Sequence, residues 1–341
     1  MRVAVYYSNR DVRLEELPAP VVGPGEILMK VMACGICGSD VLEWYRVKQA
    51  PRVLGHEATG VVVKLGEGVK GVEVGDRVFV SHHVPCGECR YCRRGHETAC
   101  ETLRTTNYEP GGFAEYVRVP KINVERGIYR LPAHMSFEEG TFIEPLGCAV
   151  RGQRLAGVER DDTVLVLGSG VSGLLHVQLS RIQGAKRIIA TDLNEYRLKM
   201  AKRFGADEVV NAEEDVPSRV RELNRGRGAD RVIICTGAPS AGEQALHCVD
   251  RGGTILFFAV PGPDVSLPFR VADFWRDEVT LRTSYGAAPR DLEEALALIS
   301  RREVNVHDMI THRLPLQEVE AGFRLVAEAG ESLKVIIEPQ R

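Results

Sequence analysis

The run Thr163-Val-Leu-Val-Leu167 followed directly by Gly168-Ser-Gly170-Val171-Ser172-Gly173 constrains this chain more than any other stretch. An uninterrupted apolar run suits a parallel strand covered on both faces, and Leu174 to Gln183 then reads as a helix. Glycines at such a strand-to-helix turn let the backbone come close to a pyrophosphate at the helix N-terminus. A second strand, Arg187 to Thr191, ends in Asp192, nineteen residues after Gly173. An acidic side chain there accepts from the ribose 2′-hydroxyl of NAD and repels the 2′-phosphate of NADP; it also suits a helix cap. The alternation continues through Val209, Val232 to Cys235, Ile255 to Phe258 and Val279 to Arg282. Six strands with intervening helices make a doubly wound sheet, an α/β fold.

The half before it has another character. Short β-type runs, Val3 to Tyr6, Ile27 to Ala33, Gly60 to Val63, Val78 to Val80 and Ala114 to Val119, are punctuated by turns such as Val22-Gly-Pro-Gly25 and Leu65-Gly-Glu-Gly68. That spacing suggests a compact, barrel-like β domain. After Thr283, helices are expected at Leu292 to Ser300 and Leu316 to Ala329, with a last strand at Leu333 to Ile337. The simplest architecture has this tail rejoining the N-terminal domain, so that a nucleotide domain at 151–284 is inserted between 1–150 and 285–341 and the cleft between domains holds the site. A length of 341 residues exceeds a usual single core and agrees with two domains.

Chemistry gathers in two places within the first half. Cys34-Gly-Ile-Cys37-Gly-Ser39-Asp40, completed by Gly55-His56-Glu57, supplies a thiolate, an imidazole and carboxylates, the ligand types of a borderline metal such as zinc. Ser39 puts a hydroxyl near a substrate oxygen, and Asp40 suits the far nitrogen of His56. A buried structural cysteine and a satisfied core histidine use the same residue types. Cys86, Cys89, Cys92 and Cys100, with two, two and seven residues between them, can close four thiolates around one tetrahedral ion in a lobe at 86–100. A redox-sensitive thiol group or an iron–sulfur cluster also uses four cysteines, but the last spacing suits zinc better. His82, His83 and His96 are expected to be polar surface residues.

Charge is mixed, with a net of −3, and nothing resembles a nucleic-acid or membrane surface. No run reaches the length of a membrane span, and the N-terminus reads as a strand, not as a signal peptide. Nine cysteines, an odd number, fit reduced thiols in a cytoplasmic protein better than disulfides.

Taken together, the motifs resemble the zinc-dependent medium-chain alcohol and polyol dehydrogenases, in family order across essentially the whole chain. Within that family the chain is most similar to sorbitol dehydrogenase and threonine dehydrogenase-like members. Phe142-Ile-Glu144-Pro-Leu-Gly-Cys148 carries the closer assignment, since polyol-type members have Glu-Pro where ethanol-type members place a cysteine ligand. Thr191-Asp192-Leu193 with Arg197, and Thr311-His312-Arg313, point to the same branch. The resemblance implies a GroES-like catalytic domain, a Rossmann domain, NAD as cofactor and two zinc ions per chain. Cys37 and His56 become zinc ligands, with Glu57 and Glu144 supplying carboxylate directly or through water, and Ser39 the first proton acceptor. The implied reaction is reversible oxidation of a small secondary alcohol, a polyol or cyclitol, to a ketone.

Two departures stand out. The relay histidine that many relatives carry three residues after the Ser or Thr is Leu42 here, which leaves water or Glu43 as the proton exit. The arginine that sorbitol dehydrogenases set against the polyol is replaced by Ser284-Tyr285-Gly286, so sorbitol is not the expected substrate. Trp44, Tyr45 and Tyr285 suit either pocket walls or packing. Oxidation of an amino alcohol of the threonine type is the nearest rival. A non-catalytic NAD-binding or redox-sensing protein would need a broken site, whereas Cys37, His56, Glu57 and Glu144 are all present. A homo-oligomer, a tetramer before a dimer, is implied by bacterial relatives.

Overall fold

The computed structural model describes all 341 residues, and they fall into two compact units. One comprises 1–147, 287–302 and 306–341; the other comprises 148–286 and 303–305. The helix Ile143–Ala156 starts in the first unit and ends in the second.

In the first unit the strand Ile27–Gly35 is the axis of a seven-stranded sheet. Its residues alternate between buried and half-buried up to Met32, the pattern of a strand with one covered face, and are then buried throughout from Ala33 to Gly35. Glu57–Leu65 pairs antiparallel along one edge, followed by Arg77–Val80 and Ile128–Arg130. Lys334–Glu338 pairs antiparallel with its other edge at Gly35 and Cys34, and carries Ile310–Pro315 parallel outside it. Tyr116–Val119 also pairs with Ile27–Gly35. A three-stranded sheet, in the order Asp11–Glu16, Arg2–Ser8, Arg52–Val53, packs with it over a core that includes Val3, Tyr6, Ile27, Met29, Phe113 and Phe323. The C-terminal strand thus lies in the same sheet as the N-terminal ones.

The second unit is a six-stranded parallel sheet in the order Glu208–Asn211, Arg187–Asp192, Thr163–Leu167, Ala229–Ile234, Val249–Phe257, Thr280–Thr283. Thr163–Leu167 is central and buried at every residue, which is why its sequence shows no alternation. At the far edge every residue of Thr280–Thr283 is exposed.

Several strands were not expected from the sequence. Asp11–Glu16 is polar and outermost in its sheet, while Arg52–Val53 and Ile128–Arg130 are too short to show a period. The expected helix at Leu316 divides into a 3-10 turn, Leu316–Glu318, and the helix Val319–Glu328, which ends before Ala329 in the left-handed region at φ 53°. The helix expected from Leu174 begins at Val171, with Gly170 as its N-cap.

Candidate active site

Local chain geometry starts the site. Directly after Ile27–Gly35, the backbone tightens into the 3-10 turn Gly38–Val41, and Cys37 caps it. The Cys37 Sγ accepts from Ser39 N at 3.4 Å, while Asp40 Oδ2 accepts from Cys37 N at 3.1 Å, so each end of the turn holds the other. The hydroxyl of Ser39 donates to the same sulfur at 3.4 Å. Glu57 opens the paired strand and lies opposite Gly35, which brings His56 and Glu57 to the same end of the sheet.

The Cys37 sulfur, a His56 nitrogen and a Glu57 oxygen lie within 4.8 Å of one another. His56 Nδ1 faces Asp40 Oδ1 at 3.4 Å, which leaves Nε2 as the ring's ligand atom on the Cys37 side. Burial disfavours a charged imidazole here, but Asp40 first and Cys37 next outweigh it and hold the His56 pKa well above its ordinary range. Asp40 is fully buried; burial works against its ionisation, and His56 and Arg46 overcome that and hold its pKa down.

Glu57 is fully buried and forms an ion pair through Oε2 with Lys334. Lys334 comes from the C-terminal strand, also donates to Ile36 O at 3.4 Å, and lies over the Phe142 ring at 5.5 Å. Burial lowers the Lys334 pKa, but Glu57, Cys37 and Glu144 together leave it raised. The pair meets across Gly35, where a Cβ would run into both Glu57 Oε2 and the Lys334 ammonium. The second carboxylate oxygen, Oε1, is buried with no hydrogen-bond partner. Such an orphaned acceptor beside a thiol and an imidazole is an observation that fits a cation held by these three residues. Glu144 stands in the first turn of Ile143–Ala156, half-buried and outside the 4.8 Å group, though close enough for its charge to act on Lys334.

Four residues at this site carried no signal that the sequence reading used. Lys334 is one; a single lysine inside Leu333-Lys-Val-Ile-Ile337 is the sign that points to it. Arg46 donates from Nη2 to Ser39 Oγ and from Nε to Ser39 O, both at 3.0 Å. His82 and His83 correct an expectation: they are not free surface residues. The His82 ring centroid lies 4.9 Å from that of His56 and 3.9 Å from that of His83, and His96 alone of the three is exposed. Glu43, considered as a proton exit, is exposed and accepts from Asn9 N at 3.2 Å. Trp44 and Tyr45 are each 37% exposed, with ring centroids 5.8 Å apart.

Cys86, Cys89, Cys92 and Cys100 also close within 4.8 Å. The Sγ atoms of Cys89 and Cys92 are 3.5 Å apart and those of Cys100 and Cys86 are 3.6 Å apart. Backbone N–H groups of Cys86 and Cys89 point at sulfurs, at 3.4 Å each. Burial resists ionisation of Cys100, yet the backbone N–H groups of Cys86 and Leu103 bring its pKa down to about 6, while burial and the Cys89 thiol push Cys92 up to about 12. Thiols this close cannot all ionise side by side, and a dication at their centre is the charge that removes the conflict.

In the second unit, Gly168 takes φ +94° and turns the chain from strand to helix, and Gly173 has no room for a Cβ against Gly168 O. Val171 and Ser172 form the first turn of Val171–Ile182. Asp192 accepts from Ser169 N at 2.8 Å and Asn194 N at 2.9 Å, one on each oxygen. Arg197 brings its guanidinium beside Gly170, with a buried Nε that has no partner. Backbone donors at a helix N-terminus with a guanidinium alongside fit an anionic pyrophosphate.

The chain is similar to known proteins along nearly its whole length. Residues 23–131 match the alcohol dehydrogenase GroES-like domain, and residues 172–301 match the zinc-binding dehydrogenase domain. L-threonine 3-dehydrogenase of Pyrococcus furiosus is 36% identical, over 95% of this chain and 94% of that one. The probable D-xylulose reductase A of Aspergillus clavatus is 34% identical, over 96% and 93%. A protein of E. coli CFT073 described as a short chain alcohol dehydrogenase, solved with NADH, superposes with a TM-score of 0.88 at 27% identity, covering 99% of each chain. With relatives of this identity along nearly its whole length, the chain belongs to the zinc-dependent medium-chain alcohol and polyol dehydrogenase family.

Proposed function

We propose that this enzyme oxidises a small secondary alcohol, such as a polyol, cyclitol or diol, reversibly to the ketone, using NAD and a zinc ion held by Cys37 and His56. The observation that carries the reading is the Cys37, His56 and Glu57 group, whose one carboxylate oxygen is buried without a partner. Glu57 completes that set, and Glu144 supplies a further carboxylate nearby. When bound, zinc supplies a Lewis acid for the alcohol oxygen and NAD supplies the hydride acceptor. Asp40 fixes the His56 ring through Nδ1 and so aims Nε2. Lys334 pairs with Oε2 of Glu57, so that the buried carboxylate has a counter-charge. Ser39 places a hydroxyl against Cys37, where a substrate oxygen beside that sulfur would meet it. Cys86, Cys89, Cys92 and Cys100 would hold a second zinc with no position open to substrate.

The nucleotide would lie with its pyrophosphate on Gly168, Gly170, Val171, Ser172 and Gly173 and its adenosine ribose against Asp192. Each Asp192 oxygen keeps acceptor capacity beyond its one N–H, which supports NAD over NADP; Arg197 tempers that preference. Threonine-type oxidation is the second reading, favoured by the 36% identity to the P. furiosus enzyme. Association is supported by the exposed edge strand Thr280–Thr283 with Trp275 and Val271 exposed nearby, and we read the protein as a homo-oligomer, a tetramer before a dimer. Nine cysteines outside any disulfide support a reducing, cytoplasmic setting, and no helix is long and apolar enough to cross a membrane.

The test is NADH formation from a panel of secondary alcohols, polyols and threonine, with zinc content measured alongside. Turnover of polyols or diols above threonine supports the first reading, and the reverse order supports the second. No turnover of any alcohol by zinc-loaded protein overturns both. Running the same panel with NADP tests Asp192: a higher kcat/KM with NADP would defeat the NAD assignment.

A further inference from the structure

We propose that Arg46 is a positioning residue that fixes the Ser39 hydroxyl as a hydrogen-bond donor toward the Cys37 side of the site. The proposal rests on the reading of this site as an alcohol-oxidising centre.

A serine hydroxyl has one proton to give and two lone pairs to receive. Arg46 Nη2 donates to Ser39 Oγ at 3.0 Å, and Nε donates to Ser39 O at 3.0 Å, so the guanidinium grips one residue at two points. The same Nη2 reaches Asp40 Oδ1 at 3.3 Å, the oxygen that also faces His56 Nδ1, and the guanidinium stacks on Tyr45 at 4.8 Å. Its orientation is therefore set from three sides, and its side chain is only 13% exposed. A guanidinium stays protonated in proteins and has no acceptor, so one Ser39 lone pair faces a permanent donor. The hydroxyl proton must then find its acceptor elsewhere, and it does so at Cys37 Sγ, 3.4 Å away.

This polarity decides what Ser39 can do. A charged donor behind a hydroxyl strengthens the bond that hydroxyl makes in front of it. An alcohol oxygen arriving beside Cys37 meets a donor, which stabilises the negative charge that develops there as the alcohol's own proton passes to solvent water. Onward transfer of a proton from Ser39 to Arg46 is excluded, because the guanidinium has nowhere to put it. The other neighbours offer no substitute: Leu42 is apolar, and Glu43 is turned to Asn9 N. On this proposal Ser39 acts as a fixed donor and not as the first proton acceptor of the sequence reading.

A double-mutant cycle tests this on the zinc-loaded enzyme, with kcat read under conditions where a deuterated alcohol shows hydride transfer to limit the rate. Arg46→Met and Ser39→Ala should each lower kcat by about 10- to 100-fold, and the double variant should fall no more than about twofold below the worse single one. KM for NAD should stay within about twofold and zinc affinity in chelator competition within about threefold, because neither contact is made by Arg46 directly. Arg46→Lys, which keeps a charged donor, should recover part of the lost kcat. Additive losses would overturn the proposal, as would a tenfold loss of zinc affinity, which would assign Arg46 to support of Asp40 and His56. If Arg46→Met fails to fold, Arg46→Lys and Arg46→Gln complete the same cycle.

A second readout needs no turnover. In metal-free protein, alkylation of Cys37 followed by mass spectrometry should slow by about threefold or more in Arg46→Met, with the double variant matching Ser39→Ala. If wild-type protein oxidises no alcohol but this cycle holds, the functional reading fails and the hydrogen-bond assignment stands. If both singles alkylate at the wild-type rate, the assignment fails on its own.

Discussion

The Cys37 group and the four-cysteine lobe both gather metal-type donors within 4.8 Å, yet they are built in opposite ways. Cys86 to Cys100 come from one short stretch, are supported by backbone N–H groups, and have no charged side chain among their bonded partners. Cys37, His56 and Glu57 come from two strand ends, and each leans on a further residue: His56 on Asp40, Glu57 on Lys334, and Ser39 beside Cys37 on Arg46. A closed set of four thiolates meets all the coordination a tetrahedral ion asks for, so its surroundings need only hold the loop. A set that leaves a position open carries uneven charge in a buried place, and neighbouring ions must compensate it. On the proposed reading of one open and one closed metal site, the first depends on its supports and the second on its own ligands.

The largest test breaks the open site. Cys37→Ser or His56→Asn should cut kcat by more than about a thousandfold, several kcal/mol of barrier, and reduce zinc to one ion per chain. Circular dichroism and Tm should change little. Equal loss of activity from a distant surface variant, or full zinc retention, would dissolve the distinction drawn above.

Next comes a support of that site. Lys334→Met strands Glu57 as a buried carboxylate without its cation, at a cost of about 3–5 kcal/mol in chemical denaturation. Adding Glu57→Gln removes the stranded charge and should recover most of that loss. Lys334→Met with wild-type stability would show that Glu57 does not depend on it.

A smaller effect is expected when the closed site is opened. Cys89→Ser should leave kcat at low temperature within about threefold of wild type while Tm drops by roughly 5–10 °C, because a structural zinc contributes to folding and not to turnover. Loss of activity in step with Cys37→Ser would contradict the separation of roles.

The smallest test sharpens what a charged partner does for a buried imidazole. His176 is fully buried in the second unit, edge-on to Phe258 at 4.6 Å, with neither ring nitrogen hydrogen-bonded, and burial alone pushes its pKa down to about 3. His56, beside Asp40, is shifted the other way. Because the unfolded chain binds a proton near pH 6.5 and the folded chain does not until about pH 3, stability that His176 allows at pH 7 is lost as pH falls between those values. The loss from pH 7 to pH 5 is about 2 kcal/mol. His176→Phe should remove that share of the acid sensitivity in urea unfolding at the two pH values. An unchanged pH slope would mean that the ring finds a proton acceptor in solution.

How much of this was legible follows from where each constraint lies. The central strand Thr163–Leu167, its glycines and Asp192 were readable because the turn geometry and the run length act within about thirty residues. Cysteine spacing carried the lobe for the same reason. Cys37, His56 and Glu57 could be named as residues of the right type, but their meeting depends on the antiparallel pairing of Gly35 with Glu57. Arg46 was not legible, because its partner, the Ser39 hydroxyl, is fixed by the 3-10 turn and a four-residue helix whose capping the sequence does not announce. His82 and His83 looked like polar loop residues until the fold set their rings beside His56.

By itself, then, the sequence carried the expectation of two units, the donor types at each cluster and the glycine turn between strand and helix, all of which rest on local backbone geometry and on spacing along the chain. Tertiary structure alone decided which charge answers which. Lys334 is 277 residues from Glu57, and only the pairing of the C-terminal strand with Gly35 brings them together across a position with no side chain. The physical reason is that burial makes an ion pair obligatory without saying where along the chain its partner lies; contact between residues distant in sequence follows from sheet order, which one-dimensional pattern does not carry.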